Sequence, residues 1–378
     1  MEKFILKTIT NDDIEKELAQ IGFDEGYKFV ASDKFKYKNI KIYNLSSAQA
    51  NILKQTALSY GADCATHREV IRGGINESDV ILGGSVSQIK KIADKLNQQP
   101  FNLKTLGAEL NKLIKSERKV NTKLAGILNV TPDSFSDGGK YIEPINAQKH
   151  LIQLINYGAD IIDIGAESTK PFSTGVSAQT QIERLKPILE FIQKENIKIP
   201  ISIDTRSSEV ADFALNNGAS VINDVSGFDY DKNLADVVAK YKAGVIIQHS
   251  QGTPETMQIS PKYTNVVEEI YFSLKNKIEY AKQLGIDNVI ADVGIGFGKT
   301  KDDNFELINR IEEFYTLNVP MMVGISRKSL LGIKEDNNEL KDSLSLALSY
   351  PLIQKGVDYL RVHNVKLHKT LLNSLNSD

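Results

Sequence analysis

From residue 124 onward, short runs of β-branched and other apolar residues alternate with longer segments of helical period, and they do so eight times. The apolar runs are 124–130, 161–165, 199–203, 220–223, 244–248, 288–291, 321–325 and 357–362, with helical candidates such as 145–157, 179–194, 208–217, 265–284 and 343–354 between them. Parallel strands need a crossover of a dozen or more residues, usually a helix, so this rhythm confines the chain to βα units. Eight units in about 255 residues predict a (β/α)8 TIM barrel, whose chemistry sits on the loops leaving the C-terminal strand ends. An open doubly wound sheet is the competing arrangement, and its first strand would normally lead into a Gly-rich phosphate turn. Asn129-Val-Thr-Pro-Asp-Ser-Phe135 stands at that place instead.

Single cores stop growing at roughly 250–300 residues, so a chain of 378 residues has room for a second domain. Residues 1–118 have a different texture, with mixed strand and helix signals, Gly-Gly pairs beginning at Gly73 and Gly83, and a lysine-rich end. They are expected to form a small α/β domain ahead of a barrel spanning 119–378, with residues 111–120 as its last helix and linker, and they hold no catalytic constellation. A single Cys excludes a disulfide framework and fits a reducing, cytoplasmic setting. The net charge of -2 gives no broad basic footprint for nucleic acid. No apolar run approaches the ~20 residues needed to span a bilayer, and the start Met1-Glu-Lys-Phe-Ile-Leu-Lys7 lacks a signal-peptide core, so neither membrane nor export is expected.

Polar groups recur where the apolar runs finish. In order they are Asn129, Glu167 to Lys170, Asp204 to Arg206, Asn223-Asp224, Gln248-His249, Asp292, Ser326-Arg-Lys-Ser329 and Arg361-Val-His363. Any one of them, read alone, is better explained as a helix cap, as Ser207 and Ser208 are. Eight strand ends in succession are not, because a barrel aims them all at one mouth. Asp and Asn side chains offer the flat, paired donors and acceptors that suit an aminopyrimidinone edge. Lys, Arg, Ser and Asn suit a diphosphate.

With these residues in view, the barrel half resembles dihydropteroate synthase, which joins a dihydropterin diphosphate to 4-aminobenzoate. The resemblance rests on Asn129-Val-Thr-Pro-Asp-Ser-Phe-Ser-Asp-Gly138, Asp163-Ile-Gly-Ala-Glu-Ser-Thr-Lys-Pro171, Gly296-Phe-Gly-Lys299, Ser326-Arg-Lys-Ser329 and Arg361-Val-His363, in family order. It implies a pterin held by Asp204, Asn223, Asp292 and Lys328, with Asp292 facing the amino edge. It implies Asn129 as ligand of Mg2+ on the diphosphate, with Arg361 and His363 as diphosphate anchor and Thr169 nearby. Phe135, Thr169, Pro171, Phe297, Lys328 and Ser329 match positions around the aminobenzoate, the subsite where sulfonamides are expected. Asp204, Lys328 and Arg361 are the implied catalytic residues, and a homodimer through barrel helices is the implied assembly.

Four positions depart from the family pattern. Lys170 stands where Arg is general, Val293 where Pro follows the Asp, Asn364 where an Asp follows the His, and Ser250 where Met is common. Two other readings share the pterin-facing groups: a methyltetrahydrofolate-dependent methyltransferase, which has no diphosphate to bind, and a pterin-binding module without turnover. Ser326 to Ser329 and the 129–139 loop oppose the first; Asn129, Lys328 and Arg361 oppose the second. His67, His150 and His368 read as surface or packing residues, Lys277 and Lys282 as a solvated helix face, and Gly294 to Gly298 as backbone drawn close around the pterin.

Overall fold

The computed structural model describes residues 4–10, 14–115, 118, 120–131, 143–167, 175–252, 256–257, 259–333 and 337–375. Two compact units, Met1–Arg118 and Lys119–Asp378, make up the chain, and each is described by itself.

In the first unit, α1 (Ile14–Gln20) and α2 (Lys28–Ser32) precede β1 (Tyr37–Ser46), α3 (Ser47–Ser59), β2 (Asp63–Thr66), β3 (Glu77–Ser85), α4 (Val86–Leu96) and α5 (Leu103–Lys115). The strands form an antiparallel sheet in the order β1-β3-β2. Each of the two helices that directly follow a strand end begins with a capping box. Ser46 Oγ accepts from Gln49 N while Gln49 Oε1 accepts from Ser46 N, and Ser85 and Gln88 do the same. Such a cap is worth ~1 kcal/mol and fixes where strand turns into helix. The helical spacing of Ile89, Ile92, Ala93 and Leu96 makes one apolar face, which packs with Leu53, Leu82 and Leu103 into a core of its own.

The second unit runs β4 (Lys123–Asn129), α6 (Glu143–Asn156), β5 (Ile161–Gly165), α7 (Ala178–Lys194), β6 (Ile201–Asp204), α8 (Ser208–Asn216), β7 (Val221–Asp224) and α9 (Leu234–Tyr241). It continues with β8 (Gly244–Gln248), α10 (Val266–Gln283), β9 (Val289–Asp292), α11 (Lys301–Asn309), β10 (Met321–Val323), α12 (Asn338–Gln354), β11 (Tyr359–Val362) and α13 (Val365–Leu375). The eight strands close in the order β10-β11-β4-β5-β6-β7-β8-β9, all parallel, as the alternation of the sequence predicts. Three strands are shorter than their apolar runs. Pro200 lacks the N–H a ladder needs, so β6 starts after it; β10 ends at Val323, where the chain turns toward Arg327, whose φ is +57°; and β11 begins at Tyr359.

Successive residues of a strand face opposite sides, which splits the apolar content into two clusters. Ile162, Ile203, Ile222 and Ile247 face the helices, in the large core between strands and helix ring. Ala125, Ile161, Val221, Ile246, Ile290 and Met322, with Tyr359 against them, fill the inside of the barrel as a floor. Ser177, Ser207, Asn265, Thr300 and Asn337 cap the helices α7, α8, α10, α11 and α12. Among the described residues, no helix is long and apolar enough to cross a membrane.

Candidate functional site

Two residues beyond a floor residue, a strand again points inward. Counting from Ile161, Val221, Ile246, Ile290 and Tyr359, the next inward positions are Asp163, Asn223, Gln248, Asp292 and Arg361. β6 adds Ser202 and Asp204. The sequence thus lays a polar layer directly on an apolar floor, at the C-terminal end of the barrel.

Three carboxylates in a buried layer need counter-charge or protons. Arg361 supplies part of it, donating from Nε to Asp163 Oδ2 (2.6 Å) and from Nη2 to Asp204 Oδ2 (2.8 Å). Burial works against the guanidinium charge, but Asp163 and Asp204 outweigh it and push the Arg361 pKa upward. The Asp204 pKa also rises, which here disfavours its charge: burial raises it to about 7, with Arg361 opposing and Asp163 adding to the rise. Asn223 Nδ2 also donates to Asp163 Oδ2, at 3.0 Å. Asp292 Oδ1 accepts from Gly294 N at 2.7 Å, and its pKa is raised by burial against the pull of Lys328. Lys328 donates to Ile295 O (2.5 Å) and lies 4.6 Å from the centre of the Phe297 ring. Burial pulls the Lys328 ammonium down, with Asp292 resisting.

The layer keeps unsatisfied capacity. Among the described residues, Asp163 Oδ1, Asp204 Oδ1 and Asn223 Oδ1 are buried without a hydrogen-bond partner, as are Ser202 Oγ and Gln248 Nε2. Three adjacent acceptors on β5, β6 and β7 call for a ligand rich in N–H groups, since leaving each unpaired costs about 1–3 kcal/mol.

Around this layer the loops carry a rim. Asn129 ends β4 half-buried. His363 bonds through N and Nδ1 to Ser326 Oγ (3.2 and 3.0 Å), and Ser329 opens a short turn at the surface. Phe297 is buried with Val225 and Met257. Asp204, Asn223, Asp292, Lys328 and Arg361, singled out from sequence, therefore meet in one place. Phe135, Thr169, Lys170 and Pro171 lie outside the described residues.

Two sequence expectations are corrected. Lys277 is not a solvated lysine: Nζ donates to Ser226 O (3.0 Å) and Asp229 Oδ2 (2.6 Å). At Gly294 a close backbone approach is present within the chain itself, since a Cβ there would collide with the His249 carbonyl oxygen, and this is compatible with the sequence reading of Gly294 to Gly298. Asp224 belongs to the bland class of strand-end residues, its carboxylate tied to Ser226 N, Ser226 Oγ and Phe228 N. Two features were missing from the sequence expectations. The place of Asp163 in the polar layer was legible by the two-residue offset from the floor. The pairing of Lys299 with His249 was not, since nothing in sequence joins them: buried Lys299 Nζ donates to Phe297 O (2.9 Å) and His249 O (3.3 Å) and meets His249 Nδ1 at 3.1 Å. Burial lowers Lys299 to about 7 and His249 to about 2.

Comparison with known proteins adds what geometry alone cannot. Residues 125–363 match the pterin binding enzyme family. A bifunctional dihydropteroate synthase/dihydropteroate reductase of Helicobacter pylori is 32% identical over 99% of this chain and 98% of its own length. The dihydropteroate synthase of Clostridium beijerinckii is 41% identical over 65% of this chain and 89% of its own. The structure of Xanthomonas albilineans dihydropteroate synthase with 4-aminobenzoic acid superposes with a TM-score of 0.63 at 34% identity, covering 67% of this chain and 92% of that one.

Proposed function

The chain belongs to the pterin binding enzymes and acts as a dihydropteroate synthase, a transferase of folate biosynthesis, and from that premise we propose how its own residues divide the work. The observation that carries the proposal is the polar layer on the barrel floor, with its three buried, unsatisfied acceptors beside Arg361 and Lys328.

The reaction condenses (7,8-dihydropterin-6-yl)methyl diphosphate with 4-aminobenzoate, giving 7,8-dihydropteroate and diphosphate. Asp163, Asp204 and Asn223 receive the N–H groups of the pterin, and Asp292 faces its amino edge. Arg361, His363, Asn129 and Thr169 hold the diphosphate, where charge-assisted donors stabilise the departing oxygen as its bond to carbon breaks. Asp204 lies where a carboxylate offsets the cation that develops on the pterin. Phe135, Thr169, Pro171, Phe297, Lys328 and Ser329 orient the arylamine, whose nitrogen then attacks the methylene carbon. No side chain becomes covalently attached in this scheme.

Asn129 presents a neutral oxygen at the rim, and the described residues hold no group of three or more His, Cys, Asp or Glu suited to a metal. That donor set fits Mg2+, which keeps several waters and takes one or two protein ligands together with substrate phosphates. Bound there, it would add positive charge beside the leaving diphosphate. We also infer a cytoplasmic enzyme that pairs as a homodimer through barrel helices, where Leu340 and Leu344 of α12 are exposed. Light scattering at twice the chain mass is the expected result, and a monomer would refute it.

The synthase roles are tested by diphosphate release from the dihydropterin diphosphate with Mg2+, with and without 4-aminobenzoate. Release should depend on the arylamine and fall by about 10²-fold or more in Lys328→Ala, in line with removal of one electrostatic stabiliser. Pterin binding without turnover would defeat the assignment. The relatives matched are synthases, which sets aside the methyltransferase reading.

A second activity has its own support. The Helicobacter pylori relative named as synthase and reductase aligns with nearly the whole chain, residues outside the barrel included. We therefore propose that residues 1–118 take part in reduction of dihydropteroate by an external two-electron donor. Loss of absorbance by dihydropteroate supplied with reduced nicotinamide or reduced flavin checks it, and no change with either donor would count against it.

A further inference from the structure

Among the loops around the site, the one after β10 has a conformation that its own residues do not favour. Arg327 has φ +57°, the left-handed region, which costs a non-glycine residue about 1–2 kcal/mol. Such a conformation persists only where surrounding structure over-determines it. Here the surrounding structure is α12. Arg327 N donates to Ser345 Oγ at 3.1 Å, and its guanidinium makes a two-pronged pair with Asp342, Nε to Oδ1 at 2.7 Å and Nη2 to Oδ2 at 2.9 Å.

The same carboxylate reaches a second loop. Asn364, just after β11, donates from Nδ2 to Asp342 Oδ2 at 3.0 Å, while its own Oδ1 caps α13 by accepting from Leu367 N at 3.0 Å. Asp342 is nearly buried, with 8% of its side chain exposed, so these bonds are shielded from water. Burial alone would raise its pKa, but the bonds from Arg327 and Asn364 prevail and hold it below the usual carboxylate range. The residue next to Arg327 is Lys328, and the residue before Asn364 is His363, which is itself tied to Ser326. One anion, outside the pocket, thus joins the loop carrying one set of substrate-facing groups to the loop carrying the other.

We propose that Asp342 is a positioning residue for the transfer: by gripping Arg327 and Asn364 together it sets Lys328 and Ser329 at a fixed separation from Arg361 and His363. The proposal rests on the substrate roles given above to those four residues. It also assigns a use to Asn364, because an amide at that place can donate to Asp342 where a carboxylate would repel it.

The test is a reciprocal exchange. Asp342→Asn and Asn364→Asp are each expected to lower kcat/KM for the dihydropterin diphosphate about tenfold, a scale set by the sensitivity of such reactions to displacements of about 1 Å. Asp342→Asn with Asn364→Asp restores one carboxylate facing one amide but leaves Arg327 facing an amide, so it should lose no more than Asp342→Asn alone and clearly less than the product of the two single losses. A role limited to stability would instead move the unfolding midpoint and leave kcat/KM of the folded fraction unchanged, and that outcome overturns the proposal. So does a double variant whose loss is the product of the single losses. Should Asp342→Asn fail to fold, Asn364→Asp alone decides, since its carboxylate still caps α13, and undiminished kcat/KM there overturns the proposal. Failure of the synthase reading is distinguishable, because the unsubstituted chain would then show no arylamine-dependent turnover.

Discussion

At the scale of single residues, the site is a problem of charge in a dry place, and Lys299 states it most plainly. Its ammonium is buried among backbone carbonyls and a histidine, with Asp292 and Asp303 raising its pKa and Lys328 lowering it, yet burial prevails and brings it to about 7. A lysine whose folded pKa is depressed contributes stability above its unfolded pKa of about 10.4, and that contribution is lost as pH falls toward the folded value. Lys299→Met removes the linkage. The unfolding free energy of the unsubstituted chain, relative to the variant, should therefore rise between pH 7 and pH 9, by at most about 1.4 kcal/mol per pH unit. Denaturant titrations of both proteins at pH 7, 8 and 9 measure it, and a constant difference would mean that Lys299 stays charged when folded. Asp204, Asn223, Asp292, Lys328 and Arg361 were legible in the sequence because a strand end is a local pattern. The pairing of Lys299 with His249 was not, because their contact joins loops 50 residues apart.

At the scale of elements, the loop after β9 shows what the glycines of that segment are for. Gly294 has φ +67° and lies against the His249 carbonyl, so a side chain there meets both a disfavoured backbone region and fixed backbone atoms. Gly285, in the turn before β9, has φ +79°, but a methyl group on its Cα would meet nothing within 4 Å. Alanine at Gly285 should cost only the left-handed penalty of about 1–2 kcal/mol. Alanine at Gly294 should cost more than that and also disturb the bond from Gly294 N to Asp292, so that affinity for the pterin falls. Equal losses of stability and unchanged pterin binding in both variants, by calorimetry and equilibrium titration, would show that the close packing at Gly294 has no bearing on the site. The strands themselves were predicted to within a few residues, and two misjudged ends have identifiable causes: proline at 200 before β6, and the turn into Arg327 after β10. The role of Asp342 was beyond reach, for it sits on a helix face with no strand-end signature and acts only through the two loops it touches.

At the scale of the whole molecule, the two units carry different amounts of legible function. The barrel announces its pocket through repetition, eight strand ends aimed at one mouth, whereas the three-stranded unit has its own core and, among its described residues, no group of three or more His, Cys, Asp or Glu suited to a metal. Its composition separates it from the barrel, but its purpose has to come from comparison. The Clostridium beijerinckii synthase aligns with 65% of this chain and 89% of itself, while the bifunctional Helicobacter pylori protein aligns with 99% of this chain. If synthesis belongs to the barrel and reduction needs the first unit, cutting the chain at the boundary near Arg118 separates the two activities. A protein of residues 119–378 should retain arylamine-dependent diphosphate release within about threefold of the full chain, because catalytic groups held by a rigid scaffold keep their geometry. It should lose any reduction of dihydropteroate by an external donor. Adding residues 1–118 as a separate chain tests whether the unit acts alone or only when joined to the barrel. Reduction undiminished in the barrel alone would move that activity into the pterin pocket, where product formed in the first reaction would already be bound.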